Sequence, residues 1–118
     1  MIEISITINN KKFSAKLHNN LTTQSLIKEF PLDLNMIELN GNEKYYRLQH
    51  TFPTATEKIG MIKAGDIMLY GNDCLVVFYE TFSSSYQYTR LGHIDDVVGL
   101  SRAVGTGSAR IVFNLADE

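Results

Sequence analysis

The stretch from Gly65 to Tyr79 constrains the fold more than any other. Gly65-Asp66-Ile67-Met68-Leu69-Tyr70 and Cys74-Leu75-Val76-Val77-Phe78-Tyr79 are two short apolar runs separated by Gly71-Asn72-Asp73. Glycine and asparagine accept the positive φ that a tight turn needs, so the stretch reads as a β-hairpin. Apolar runs of this length, bounded by turn residues, belong to buried strands. The other strands are expected to close around it. Its inward face is then core, and its far end borders any cleft beside it.

The rest of the chain supplies those strands. Ile2, Ile4, Ile6 and Ile8 alternate with polar residues, which gives one buried and one wet face. Asn9-Asn10-Lys11-Lys12 turns the chain, and Phe13, Ala15 and Leu17 continue the alternation. Thr22 or Thr23 is expected to cap a helix of about two turns carrying Leu26, Ile27 and Phe30, ended by Pro31 and placed over one barrel end. Leu34, Met36 and the run to Leu39 form a third strand, Asn40-Gly41 a turn, and Lys44 to Leu48 a fourth strand with Tyr45 and Tyr46 on opposite faces. Gln49 to Ala64 reads as a long loop, and so does Glu80 to Tyr88. Thr89 to Ile94 is a strand. Asp95 or Asp96 is expected to cap a short helix carrying Val97, Val98 and Leu100. Ala109 to Leu115 is the last strand. Short strands at this spacing, with two helices to cover open ends, predict a mainly β, closed eight-stranded barrel with two short capping helices.

Composition narrows the function classes. At 118 residues the chain fits one domain, 1–118, able to bury a sizeable core without disulfides. The formal charge of -2 lacks the basic excess of a nucleic-acid binder, so no nucleic acid is expected as partner. The apolar runs fall far short of the roughly 20 residues of a membrane helix, so no membrane is expected either. The start, Met1-Ile2-Glu3-Ile4-Ser5-Ile6, has neither the basic segment nor the long apolar segment of a signal peptide, and a cytoplasmic location is expected. The lone Cys74 allows no intramolecular disulfide and is expected to be a buried apolar residue. His18, His50 and His93 lack ligand-like spacing, and no phosphate loop or nucleophile motif stands out. No metal and no cofactor are expected.

The order of elements carries a resemblance. A hairpin, a short helix, several strands, the hairpin led by Gly65-Asp66-Ile67 and ending in Val77-Phe78-Tyr79, the strand Leu91-Gly92-His93-Ile94, a short helix at Val97 to Leu100 and a closing strand follow the cyclophilin order. Over nearly its whole length the chain resembles the small bacterial cyclophilin-like proteins of poorly defined function. The resemblance implies a cyclophilin-like barrel. It also raises peptidyl-prolyl isomerisation, a reaction without a nucleophile whose barrier is amide resonance of about 18–20 kcal/mol. Tyr45-Tyr46-Arg47-Leu48 resembles the family's catalytic strand and places Arg47 at its arginine. Phe52 then falls at the pocket phenylalanine. Ala55 stands where the family has a glutamine, and the Gly-Gly-Asp that normally follows is missing. No tryptophan exists to fill the pocket, which leaves that space to Phe82, and Tyr88 occupies the place of the pocket histidine.

The residues themselves suggest a cleft. Phe82, Tyr86 and Tyr88 cluster near a serine-rich loop, and exposed aromatic patches mark binding surfaces. Phe78 belongs to the strand beside them. Tyr46 and His50 flank Arg47 and the long loop. The expected role is therefore binding of a peptide or small ligand by Tyr46, His50, Phe52, Phe78, Phe82, Tyr86 and Tyr88. A weak prolyl isomerase using Arg47 is the alternative, and whether the chain is an enzyme stays open. The decisive observation is whether Arg47, Phe52 and the residues from Phe82 to Tyr88 converge on one pocket.

Overall fold

The computed structural model describes residues 1–116. In chain order the elements are β1 (Ile2–Ile8), β2 (Lys11–Leu17), α1 (Leu21–Ile27), β3 (Leu32–Leu39), β4 (Glu43–Arg47), β5 (Glu57–Ile62), β6 (Asp66–Tyr70), β7 (Cys74–Phe78), β8 (Phe82–Ile94), α2 (Leu100–Val104) and β9 (Ala109–Leu115). Eight strands run β2-β1-β9-β3-β4-β7-β6-β8, and β8 pairs back to β2 to close an antiparallel barrel. The closing seam is short: Ala15 faces Ile94, Lys16 faces His93 and Leu17 faces Gly92.

The alternation in β1, β2 and β9 fills the barrel. Ile4, Ile6, Ile8, Phe13, Ala15, Leu17, Ala109, Ile111 and Phe113 are all buried in one core, joined by Leu26 of α1 and by Leu100 and Val104 of α2. The β6–β7 hairpin is the wall that the apolar runs foreshadow, and it is buried on both sides. Ile67, Leu69, Leu75 and Val77 point into the barrel. Met68, Cys74, Val76 and Phe78 point outward into a second core with Ile62 and Tyr88. That doubled burial is why the sequence there is a continuous apolar run and not an alternation.

The cover over the second core corrects two expected loops. Residues 57–62, inside the expected loop from Gln49 to Ala64, form β5. The expected loop from Glu80 to Tyr88 holds the first half of β8. These two segments pair antiparallel, Glu57 opposite Tyr88 and Ile62 opposite Phe82, in a ribbon outside the barrel. The second half of β8 then pairs with β6 from Thr89 to His93. The eight expected strands are thus the barrel strands, and β5 is a ninth outside it. It escapes pattern reading because four of its six residues are exposed, including Glu57 and Lys58, while Ile62 alone is fully buried.

Both helices are also corrected in detail. Asn20 caps α1, accepting from the Thr23 backbone N–H at 2.9 Å, while the Thr23 hydroxyl accepts from the Asn20 N–H at 3.1 Å. Thr22 and Thr23 lie within the first turn, where their buried hydroxyls donate to Pro53 O and His18 O and fasten the helix to its neighbours. The helix ends at Ile27; Phe30 lies beyond it, stacked near Phe113 with ring centroids 6.1 Å apart. Asp96 accepts from Val98 N–H in a turn, and α2 starts only after Gly99, whose φ is +79°. The expected helix carrying Val97, Val98 and Leu100 therefore keeps only Leu100; Val97 and Val98 precede it, and Val98 is 77% exposed.

Candidate functional site

The period of two along β4 decides what the candidate residues can share. Glu43, Tyr45 and Arg47 point outward and pair with Phe78, Val76 and Cys74 of β7. Lys44 and Tyr46 point inward. Adjacent residues of one strand cannot reach the same face, so Tyr46 and Arg47 belong to different places.

The outward face of β4 and β7 is the floor of a cleft of about 350 Å³. Tyr86 and Tyr88 of the ribbon form one wall, Tyr70 stands at the end of β6, and Leu39 and Asn40 close the side nearest the β3–β4 turn. The rings continue as a series. Tyr70 lies 6.0 Å from Tyr86 and 5.5 Å from Tyr88, Tyr88 meets Phe78 edge-on at 5.6 Å, and Phe78 is 5.8 Å from Phe82. Arg47 sits at the rim. Its Nη1 donates to Asp73 Oδ1 at 2.9 Å, and its side chain is 66% exposed.

Glu43 is the unusual member of the cleft. The residue is 8% exposed, yet among the described residues its carboxyl takes part in no hydrogen bond or ion pair. Burial, helped by the nearby negative charge of Glu38, pushes its pKa up to about 7. Burial likewise raises the Cys74 thiol and the Tyr88 hydroxyl, keeping both neutral.

The inward face at the same level is closed by a polar cluster. Lys44 is fully buried, and its ammonium donates to Glu38 Oε1 at 2.8 Å and to the carbonyls of Gly105 and Gly107. Tyr79 donates to the same Glu38 oxygen at 2.6 Å. Burial alone would raise the Glu38 carboxyl, but the hydrogen bonds from Lys44, Tyr79 and Gly41 N–H outweigh it and hold its pKa below the ordinary value.

The expected site residues therefore divide. Arg47, Tyr86 and Tyr88 line the outer cleft. Tyr46, His50 and Phe52 line a separate hollow of about 190 Å³ with Glu29, Leu32, Leu34, Leu48 and Gln49. There His50 Nδ1 lies 2.8 Å from Glu29 Oε1, and Phe52 is packed into the barrel core. Phe78 is completely enclosed in the second core, with Phe82 lying against it, and neither lines the cleft. Arg47, Phe52 and the residues from Phe82 to Tyr88 do not converge on one pocket. Glu43, Tyr45 and Tyr70 were not among the expected residues. The signal for the first two is the period of two back from Arg47.

Among the described residues, no three His, Cys, Asp or Glu side chains gather as a metal site would require. No described helix is long and apolar enough to cross a membrane. No curated relative and no solved structure matches the chain significantly. A family model described as the cyclophilin-like family matches residues 6–114, which span the barrel from β1 to β9 together with the ribbon. By that match and by its closed antiparallel barrel, this chain belongs to the cyclophilin-like family.

Proposed function

We propose that the chain binds a peptide or small ligand in the outer cleft. The observation that carries this reading is the convergence of four tyrosines, Tyr45, Tyr70, Tyr86 and Tyr88, on one concavity of about 350 Å³. Their rings offer large apolar area at small entropic cost and keep a polar tip for orientation. A hollow of this size, lined by aromatics with a few polar groups, suits a ligand of a few side chains' bulk. Tyr86, at 61% exposure, leaves a large apolar surface open to water that a ligand would cover.

A panel of small aromatic, aliphatic and short-peptide probes, followed by nuclear magnetic resonance of the tyrosine rings, tests the reading. Probes are expected to shift Tyr70, Tyr86 and Tyr88, and Tyr86→Ala is expected to weaken them at least tenfold with little loss of fold, because the ring is largely exposed. Shifts confined to the hollow around His50 and Phe52, or none at all, would sink it.

A second reading is weak prolyl isomerisation by Arg47. What favours it is the position of the guanidinium at the rim of this same aromatic cleft, where it can reach an imide seated against the tyrosines. A prolyl-peptide assay on wild type and Arg47→Ala decides: catalysis lost in the variant supports it, and a wild-type rate equal to the uncatalysed one ends it.

A further inference from the structure

We propose that the outer cleft recognises a primary ammonium group on a short apolar stem, with Glu43 as its anion and the surrounding tyrosines as its cage. This rests on the reading of the cleft as a binding site and gives the ligand its chemistry.

Three observations converge on it. The first is Glu43 itself, more than nine-tenths buried, lining the cleft and without a partner among the described residues. Buried carboxylates are ordinarily paired, and one facing a cavity without a donor is a position that a ligand's N–H groups can fill. The second is the wall. Tyr45, Tyr70, Tyr86 and Tyr88 line the same cleft as Glu43, and the ring quadrupole attracts a cation at its face. The third is the charge balance. The other charged residue lining the cleft, Arg47, is already held by Asp73, so the charge left uncompensated when Glu43 ionises is negative. A cation is thereby favoured and an anion rejected. The apolar side chains of Leu39 and Val76 accept the stem.

The same geometry makes binding proton-linked. The titratable or charged groups that line the cleft with Glu43 or act on it are Glu38 on β3, Tyr45 and Arg47 on β4 (Arg47 paired with Asp73 of the β6–β7 turn), Tyr70 on β6, Cys74 on β7, Tyr79 just after β7, and Tyr86 and Tyr88 on β8. Glu38 is held ionised by its donors, and burial keeps the Cys74 thiol and the Tyr79 and Tyr88 hydroxyls protonated at neutral pH. Glu43, with its pKa about 7, is the member that changes charge there. Below that pH an ammonium must displace the carboxyl proton to bind. Affinity then falls about tenfold per pH unit beneath 7 and levels off above it.

The test titrates the whole chain with n-butylammonium, n-butanol and butyrate, reading the tyrosine ring resonances. It adds an N-acetylated, amidated Ala-Lys-Ala peptide and its norleucine analogue. At pH 8 butylammonium is expected to bind at least tenfold more tightly than butanol, with butyrate weakest, and the advantage is expected to vanish by pH 5. In Glu43→Gln, checked by circular dichroism for an intact fold, butylammonium should drop to the level of butanol. A lysine peptide binding tighter than butylammonium identifies a lysine side chain as the source of the group; the reverse order identifies a free amine. Butanol binding as well as butylammonium, or a preference untouched by pH in the wild-type chain, overturns recognition of charge while leaving the cleft a binding site. Ring resonances unmoved by every probe overturn both.

Discussion

Two neighbouring residues of β4 carry opposite charges into opposite environments, and each predicts a measurable asymmetry. Glu43 has the ordinary carboxyl pKa of 4.5 when unfolded and about 7 when folded. Between those values the folded chain keeps a proton that the unfolded chain releases. The stability that goes with the neutral carboxyl is therefore full below about pH 4.5, is lost as pH rises to 7, and changes little beyond. A gap of that size corresponds to about 3 kcal/mol. Glu43→Gln is uncharged at every pH, so it should match wild type within about 1 kcal/mol at pH 4 and exceed it by about 3 kcal/mol at pH 8. Urea unfolding at the two pH values checks this; an equal difference at both would show that Glu43 does not titrate in the folded chain as described. Lys44 behaves oppositely, because its charge is fully partnered. Lys44→Met removes the counter-charge of Glu38, which keeps only its Tyr79 and Gly41 donors, and takes a donor from the carbonyls of Gly105 and Gly107; it should cost about 3 kcal/mol. Adding Glu38→Met should recover part of that loss, which a double-mutant cycle measures directly. The alternation that separates this pair was legible in the sequence, where Tyr45 and Tyr46 fall on opposite faces. That Glu43 faces a cleft was not, since the cleft's far wall is a ribbon folded back from residues 82–88.

Among the elements, legibility follows how each strand is buried. β1, β2 and β9 turn one apolar face inward and a more polar, less buried face outward, and their alternation reads directly from the residues. β7 is buried on both faces and reads as apolar without revealing a second core. β5 and the first half of β8 rest on that core by few side chains, and most of their residues are exposed. The aromatics at even positions in β8, Phe82, Tyr86 and Tyr88, were the available strand signal, but Ser83-Ser84-Ser85 between them reads as loop. The resemblance in Leu91-Gly92-His93-Ile94 has a structural cause at Gly92. A Cβ built there would lie 2.0 Å from Lys16 O and 2.8 Å from Leu17 Cα, both backbone atoms of the strand across the seam. Backbone on both sides cannot give way without breaking the three-residue contact that closes the barrel. Gly92→Ala should therefore destabilise the chain by several kcal/mol, read as a large drop in thermal midpoint or loss of soluble protein. Gly60→Ala is the control: space around it is open and only its φ of +77° opposes a side chain. It should cost about 1–2 kcal/mol. Equal effects at the two glycines would mean that the seam tolerates widening.

At the scale of the molecule, the barrel and the ribbon differ in how they are held. A closed barrel has no free edge, so each of its strands is paired on both sides. The ribbon hangs from it: β5 is the terminal strand of the order and pairs with β8 alone. Its hold on the second core comes chiefly from Ile62 and Tyr88, with Ile59 and Phe82 partly buried. Segments with few buried contacts and singly paired backbone open at lower free energy than the fold as a whole. The amides of β5 should therefore exchange about 100-fold faster than those of β1 and β2, a gap of ~3 kcal/mol in opening free energy. Ile62→Ala should widen the gap, because it removes the one fully buried anchor of β5 while leaving the barrel core intact. Since the ribbon supplies Tyr86 and Tyr88 to the cleft, a ligand seated there must favour the closed ribbon over the open one. Saturation with such a ligand should slow exchange across residues 57–62 and 82–88 and leave β1 and β2 unchanged, as measured by peptide-resolved mass spectrometry. Uniform slowing of every strand would place the ligand's stabilisation in the barrel as a whole, and the ribbon would then be a fixed wall instead of a movable one.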